Sequence, residues 1–170
     1  MKTGQLKFPL RIPFVEELGL ELWGFGDGKA ELRVDLEQAH LNSWEVAHGG
    51  VLMTMLDVAM AHAARSGNSS GSSSGKSSGN SHAPHDASGV ATVEMKTSFM
   101  RPAEGQLRAL GTLLHKTTTM AFTEGSVFNE AGQLCAHATA TFKYLRALPT
   151  KSTSTGRQAK PLQHNPKDTA

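Results

Sequence analysis

The stretch from Gly49 to about Arg65 constrains the fold more than any other part of the chain. It reads Gly-Gly-Val-Leu-Met-Thr-Met-Leu-Asp-Val-Ala-Met-Ala-His-Ala-Ala-Arg, with no helix breaker after the paired glycines. Apolar residues occupy almost the whole circumference at 3.6-residue spacing, and a helix of that kind is buried on most sides. The remainder of the chain must supply a surface broad enough to wrap it.

The flanking segments are patterned to do so. Leu20 to Phe25 alternates, Gly26-Asp27-Gly28 reads as a turn, and Ala30 to Leu36 alternates again, which predicts a hairpin. Pro13 to Leu18 suits a short helix with proline in its first turn. Beyond the long helix, three or four strands are expected near Val90–Met100, Gln106–His115, Thr119–Phe128 and Gln133–Leu145, parted by turns at Pro102 to Gly105 and Asn129 to Gly132. The order predicts an α+β architecture, an antiparallel β-sheet wrapped around one long central helix. Such a sheet exposes an edge strand, and pairing that edge with a second copy removes the liability, so a dimer is expected.

A length of 170 residues fits one domain. An N-terminal extension (1–12) precedes a domain spanning 13–148, and a polar tail (149–170) follows it. From Ser66 to Ser81 every residue is Ser, Gly or Asn except Lys76, so a flexible insertion is expected over 66–89. His82 and His85 on such a loop offer a metal-binding reading that is weaker than that of solvated loop residues, and no metal or other cofactor is expected. The net charge of +2, with much of the positive charge scattered along the C-terminal part (Lys143, Arg146, Lys151, Arg157, Lys160, Lys167), predicts neither a nucleic-acid nor a membrane partner. No run approaches the roughly 20 apolar residues of a membrane span, and the start lacks a signal-peptide pattern. The single cysteine, Cys135, lies in an apolar alternation and reads as a small buried hydrophobe. A cytoplasmic protein is expected.

Asp57 is the one carboxylate in the apolar helix. It either pairs with a nearby donor such as His62 or Arg65, or serves as a base or nucleophile in an apolar pocket. His48-Gly49-Gly50 opens the same helix, where unpaired N–H groups favour a developing negative oxygen. His48 and Asp57 are nine residues apart, roughly 180° around a helix and roughly 13 Å along it, so one chain does not bring both to one pocket. Two copies related by a dimer axis would. Asn42, in the loop before the glycines, offers an amide donor, although an asparagine there is also an ordinary turn residue.

Asn42, His48-Gly49-Gly50 and Asp57 together read Asn-x5-His-Gly-Gly-x6-Asp, followed by Val93-Glu94-Met95-Lys96-Thr97-Ser98-Phe99-Met100-Arg101-Pro102-Ala103. With Met120 to Glu124 and Gly132 to Phe142, this resembles the hotdog-fold acyl-CoA thioesterases of the phenylacetate-degradation type, over roughly Pro13 to Leu145. The resemblance implies hydrolysis of an acyl-CoA by a homodimer or dimer of dimers. Asp57 would activate water or attack the thioester, the Gly49 N–H would polarise the carbonyl, and His48 would position the site. Asn42 would help hold the water or the carbonyl, and Thr92 would orient the water. Asp57 would come from one subunit and Asn42, His48 and Gly49 from the other. Ala61 stands where some relatives carry a hydroxyl, which leaves Thr92 to supply it. Arg101 and Lys116, at strand ends, would meet the CoA phosphates. Trp44, Phe14 and Met53 suggest an aryl or medium-chain acyl pocket. A hotdog hydratase or dehydratase and a non-catalytic acyl-CoA-binding protein are the competing readings.

Overall fold

A computed structural model describes residues 3–67 and 89–145. Most of the expected flexible insertion and all of the expected tail lie outside the described residues. In chain order the elements are α1 (Pro13–Glu17), β1 (Glu21–Gly26), β2 (Lys29–Asp35), a 3-10 turn at Gln38–His40, α2 (Gly49–Ser66), β3 (Val90–Phe99), β4 (Gln106–Lys116), β5 (Met120–Phe128) and β6 (Leu134–Tyr144). The six strands form one antiparallel sheet in the order β1-β2-β4-β5-β6-β3, curled around α2. The α+β expectation therefore holds. All four strands expected after the helix are present.

The curl follows from where side chains and glycines fall. Leu32 and Val34 of β2, Leu107 and Ala109 of β4, Val127 of β5 and Phe142 of β6 are buried against Leu52, Met55, Leu56 and Met60 of α2. Each large apolar side chain buried this way contributes about 1.5–3 kcal/mol. Across the sheet, cross-strand pairing aligns Ala30, Gly111, Gly125, Ala138 and Thr97 in one row. The helix lies on that row. A Cβ at Gly111 would fall 2.4 Å from the Ala59 carbonyl oxygen, so only glycine permits the backbone approach there.

Four strands carry irregularities of register: β1 near Trp23, β4 near Leu114, β3 at Val93 and β6 at Cys135. Bulges of this kind increase local twist. The one in β3 also changes which residues face the helix. Met95, Thr97 and Phe99 pair with Ala140, Ala138 and Ala136, which are buried on the helix side. Without the extra residue, strict alternation would turn Thr92 to the outer face. With it, Thr92 pairs with buried Phe142 and joins the helix face.

The two sheet edges differ. Along β1, the N-terminal segment adds an antiparallel bridge, the Leu6 N–H donating to the Leu22 carbonyl at 2.8 Å. Along β3, no strand among the described residues pairs with the outer edge, and Val93 (58% exposed) and Phe99 (53% exposed) face water there. The helix ends one residue later than expected. Ser66 is buried, its hydroxyl receiving the Gly28 N–H at 3.0 Å, so it ties α2 to the β1–β2 turn and does not begin the polar segment. Cys135 is buried, as its apolar surroundings suggested.

Candidate active site

The start of α2 is shaped by three residues. His48 is the N-cap, with φ −61° and ψ 138°, and its Nδ1 accepts the Gly50 N–H at 2.9 Å. Its own N–H donates to the His40 carbonyl at 2.8 Å, and buried His40 receives the Glu37 N–H on Nδ1. The His48 carbonyl takes the Val51 N–H at 2.9 Å. Among the described residues no acceptor takes the Gly49 N–H, which stands at the positive end of an 18-residue helix. The Phe99 ring lies alongside, 3.5 Å from where a Gly49 Cβ would sit.

Asp57 is eight residues further on, on the side of α2 that the sheet leaves uncovered, in line with half-buried Thr54 and Ala61. Its Oδ1 accepts a hydrogen bond from the Thr92 hydroxyl at 2.8 Å. Neither His62 nor Arg65 bonds to it, so the alternative of a helix-internal pair is not what the carboxylate does. Burial pushes its carboxyl pKa above the ordinary aspartate value, and the Thr92 hydroxyl pulls it partly back. Such a carboxylate is a stronger base than a solvated one. The Val93 bulge brings Thr92 to it, and sequence alternation alone gives no sign of that bulge.

The remaining expected residues divide. Asn42 closes a tight loop: its Oδ1 accepts the Trp44 N–H at 2.9 Å, and its N–H donates to the Val46 carbonyl at 2.9 Å. That is turn work, and it leaves the side-chain NH2 as the available donor. Arg101 follows β3 near the Gly49 end and donates through Nη1 to the Leu134 carbonyl at 2.9 Å. Lys116 lies at the other end of α2, its ammonium on the Gly67 carbonyl just past the helix C-terminus.

One chain does not unite these parts. Gly49 sits beside Phe99 and Asp57 beside Thr92, so α2 runs antiparallel to β3 with the N–H near one end of the strand and the carboxylate near the other. A groove of about 420 Å³ opens beside His48, between α1 and the first turns of α2. Of the three residues from which an acyl pocket was expected, Phe14 lines it and Trp44 and Met53 do not. Among the described residues no cluster of His, Cys, Asp and Glu has metal-binding geometry, and no helix is long and apolar enough to cross a membrane.

Known proteins share this framework. The thioesterase superfamily pattern matches residues 45–136, more than half of the chain. A medium/long-chain acyl-CoA thioesterase, YigI of Salmonella typhimurium, is 27% identical over 138 residues, 79% of this chain and 87% of that protein. The structure of the conserved protein PA5202 of Pseudomonas aeruginosa superposes with a TM-score of 0.66 at 28% identity, covering 81% of this chain and 97% of that one. The PaaI protein of the phenylacetic acid degradation operon of E. coli shares the fold, with a TM-score of 0.65 at 17% identity over 79% of this chain and 86% of that one. With its curled sheet, central helix and matching pattern, the chain belongs to the thioesterase superfamily and is a thioester hydrolase of the hotdog fold.

Proposed function

We propose that the chain is an acyl-CoA thioesterase whose active sites form between two copies. The carrying observation is the antiparallel course of α2 and β3 beside a β3 edge that no strand among the described residues covers. Two β3 strands paired antiparallel about a two-fold axis near Met95 and Lys96 would set Thr92 and Asp57 of one copy opposite Phe99 and Gly49 of the other. Each of the two resulting sites then has a base and an oxyanion donor. The dimer is the unit of activity, with a dimer of dimers as the larger assembly.

The thioester carbonyl oxygen accepts the Gly49 N–H, a donor worth about 3 kcal/mol to the transition state in comparable oxyanion holes. Asp57 takes a proton from water as the water oxygen bonds to the carbonyl carbon. The tetrahedral intermediate then collapses, the carbon–sulfur bond breaks, and the proton on Asp57 passes to the departing CoA thiolate. Thr92 holds Oδ1 of Asp57 and leaves Oδ2 to the water. Attack by Asp57 itself, through an anhydride, remains the second route. His48 fixes the helix start, and the Asn42 side-chain NH2 helps hold the water or the carbonyl. Arg101 and Lys116 keep further N–H donors for the CoA phosphates beyond those given to backbone carbonyls. A hydratase is disfavoured because His48 Nδ1 is spent on the Gly50 N–H, which leaves the ring little freedom as a second acid–base group.

Free-thiol release from short, medium, long and aryl acyl-CoAs tests the reading, with wild type and Asp57→Ala side by side. Turnover by wild type that is lost in a folded, dimeric Asp57→Ala supports it. Binding of CoA esters without turnover of any would establish the binding-protein reading in its place. Mixing inactive Asp57→Ala and His48→Ala subunits should regain activity, and a mixture as inactive as its parents would refute the shared site.

A further inference from the structure

We propose that the groove between α1 and the first turns of α2 binds the hydrocarbon chain of a linear acyl thioester. This rests on the thioesterase reading above and assigns a place to the part of the substrate that the catalytic residues do not touch. The groove, about 420 Å³, falls within the usual range of small-molecule sites. Phe14 and Leu18 form one wall, Ala39 and Leu41 the second, and Val51 and Thr54 the floor.

Two observations select the occupant. First, the groove begins at the site. His48 lines it, and the same residue caps the helix whose Gly49 N–H is unspent. A carbonyl on that N–H has two substituents, the sulfur arm and the acyl arm, and one of them must continue past His48. Second, the lining is mostly apolar, and two of its polar groups are already satisfied. The Thr54 hydroxyl donates to the Gly50 carbonyl at 2.9 Å, which leaves its methyl for a ligand, and the Leu41 N–H donates to the Gln38 carbonyl at 3.2 Å. The sulfur arm of a CoA ester carries amides and phosphates, and burying them against hydrocarbon without partners is costly. An alkyl chain has no such groups. Phe14, 63% exposed at the outer end, leaves the groove open to water, which suits an extended chain more than a closed ring pocket.

Steady-state kcat/KM for straight-chain acyl-CoAs from acetyl to dodecanoyl tests this, with phenylacetyl-CoA alongside. Each methylene buried in the groove should raise kcat/KM about three- to four-fold until the groove is filled. Ala39→Trp, on the exposed 3-10 turn, fills the groove and should lower the dodecanoyl-to-butyryl ratio about ten-fold or more. Phe14→Ser, a milder change on an exposed side chain, should lower the same ratio by a few-fold and covers the case in which the tryptophan variant does not fold. A ratio unchanged in folded variants, a flat chain-length profile, or a preference for phenylacetyl over octanoyl would each overturn the assignment while leaving a thioesterase. No turnover on any CoA ester would overturn the thioesterase reading, and this assignment with it.

Discussion

Replacing Gly49 with proline would remove the backbone N–H assigned to the oxyanion while leaving the helix intact. Gly49 is the first residue of α2, where an N–H has no intrahelical partner and proline is favoured. The residue before a proline must be extended, and His48 already is, with φ −61° and ψ 138°. The new Cβ would meet the Phe99 ring at 3.5 Å, an ordinary contact. The folding cost is therefore small, and the expected loss is that of one oxyanion donor, about 3 kcal/mol or a 10²–10³-fold fall in kcat. Gly49→Ala is the control, since it makes the same contact with Phe99 and keeps the N–H. The assay is kcat and KM on the best acyl-CoA of the panel, with thermal melts and sizing to verify the fold. A loss concentrated in kcat marks an interaction made in the transition state. Gly49→Pro within a few-fold of Gly49→Ala, in folded protein, would refute the oxyanion assignment.

Three further outcomes are expected. Thr92→Val removes the hydroxyl that lowers the Asp57 pKa, so the acid limb of the kcat/KM–pH profile should move to higher pH. Activity at neutral pH should fall by about 1–2 kcal/mol, roughly 5- to 30-fold, the lower part of the range because water reaches the pair. Thr92→Ser should restore both, and a profile that does not move would show that the hydroxyl leaves the carboxylate untouched. His62 is buried between Phe8 and Phe25, and burial pushes its pKa from 6.5 down to about 4. The unfolded chain binds that proton between these values and the folded chain does not, so stability is full above pH 6.5 and falls by about 3 kcal/mol as pH drops to 4. Urea midpoints across that window should slope less for His62→Leu than for wild type, and equal slopes would count against the buried neutral ring. Gly111→Ala should cost about 3 kcal/mol, because its Cβ meets the fixed Ala59 backbone. Gly125→Ala should cost less, because its nearest neighbours are the movable side chains of Met60 and Leu56. Reversal of that order in denaturation midpoints would contradict the packing described.

Much of the fold was legible because it depends on local periodicity. The apolar circumference of α2 and the alternation of β2 and β5 are properties of consecutive residues, and Asp57 stands out against such a background on inspection. The rest depends on partners distant in sequence. The Val93 bulge exists only relative to the register of β6, and alternation read along β3 alone would send Thr92 to the wrong face. Gly111 and Gly125 look like weak points in strands until α2 lies against them. Lys116 reads as a spare cation at a strand end, yet its ammonium meets a carbonyl just past the helix C-terminus. The apolar groove joins α1, the 3-10 turn and α2, three segments that no single sequence window contains.

The unequal edges of the sheet also govern how far association can go. A ladder of strands grows wherever a row of backbone groups is open, and a sheet open on both sides can propagate into a fibre. Here Leu6 lies across the outer side of β1, while no strand among the described residues pairs with the outer edge of β3. When two such β3 edges meet about a two-fold axis, the joined sheet presents only β1 edges, each crossed by its own N-terminal segment. Strand-wise growth would then terminate at two copies, and any larger particle would be assembled through other faces. In the proposed dimer, the segment around Leu6 would act as a stop for strand-wise polymerisation.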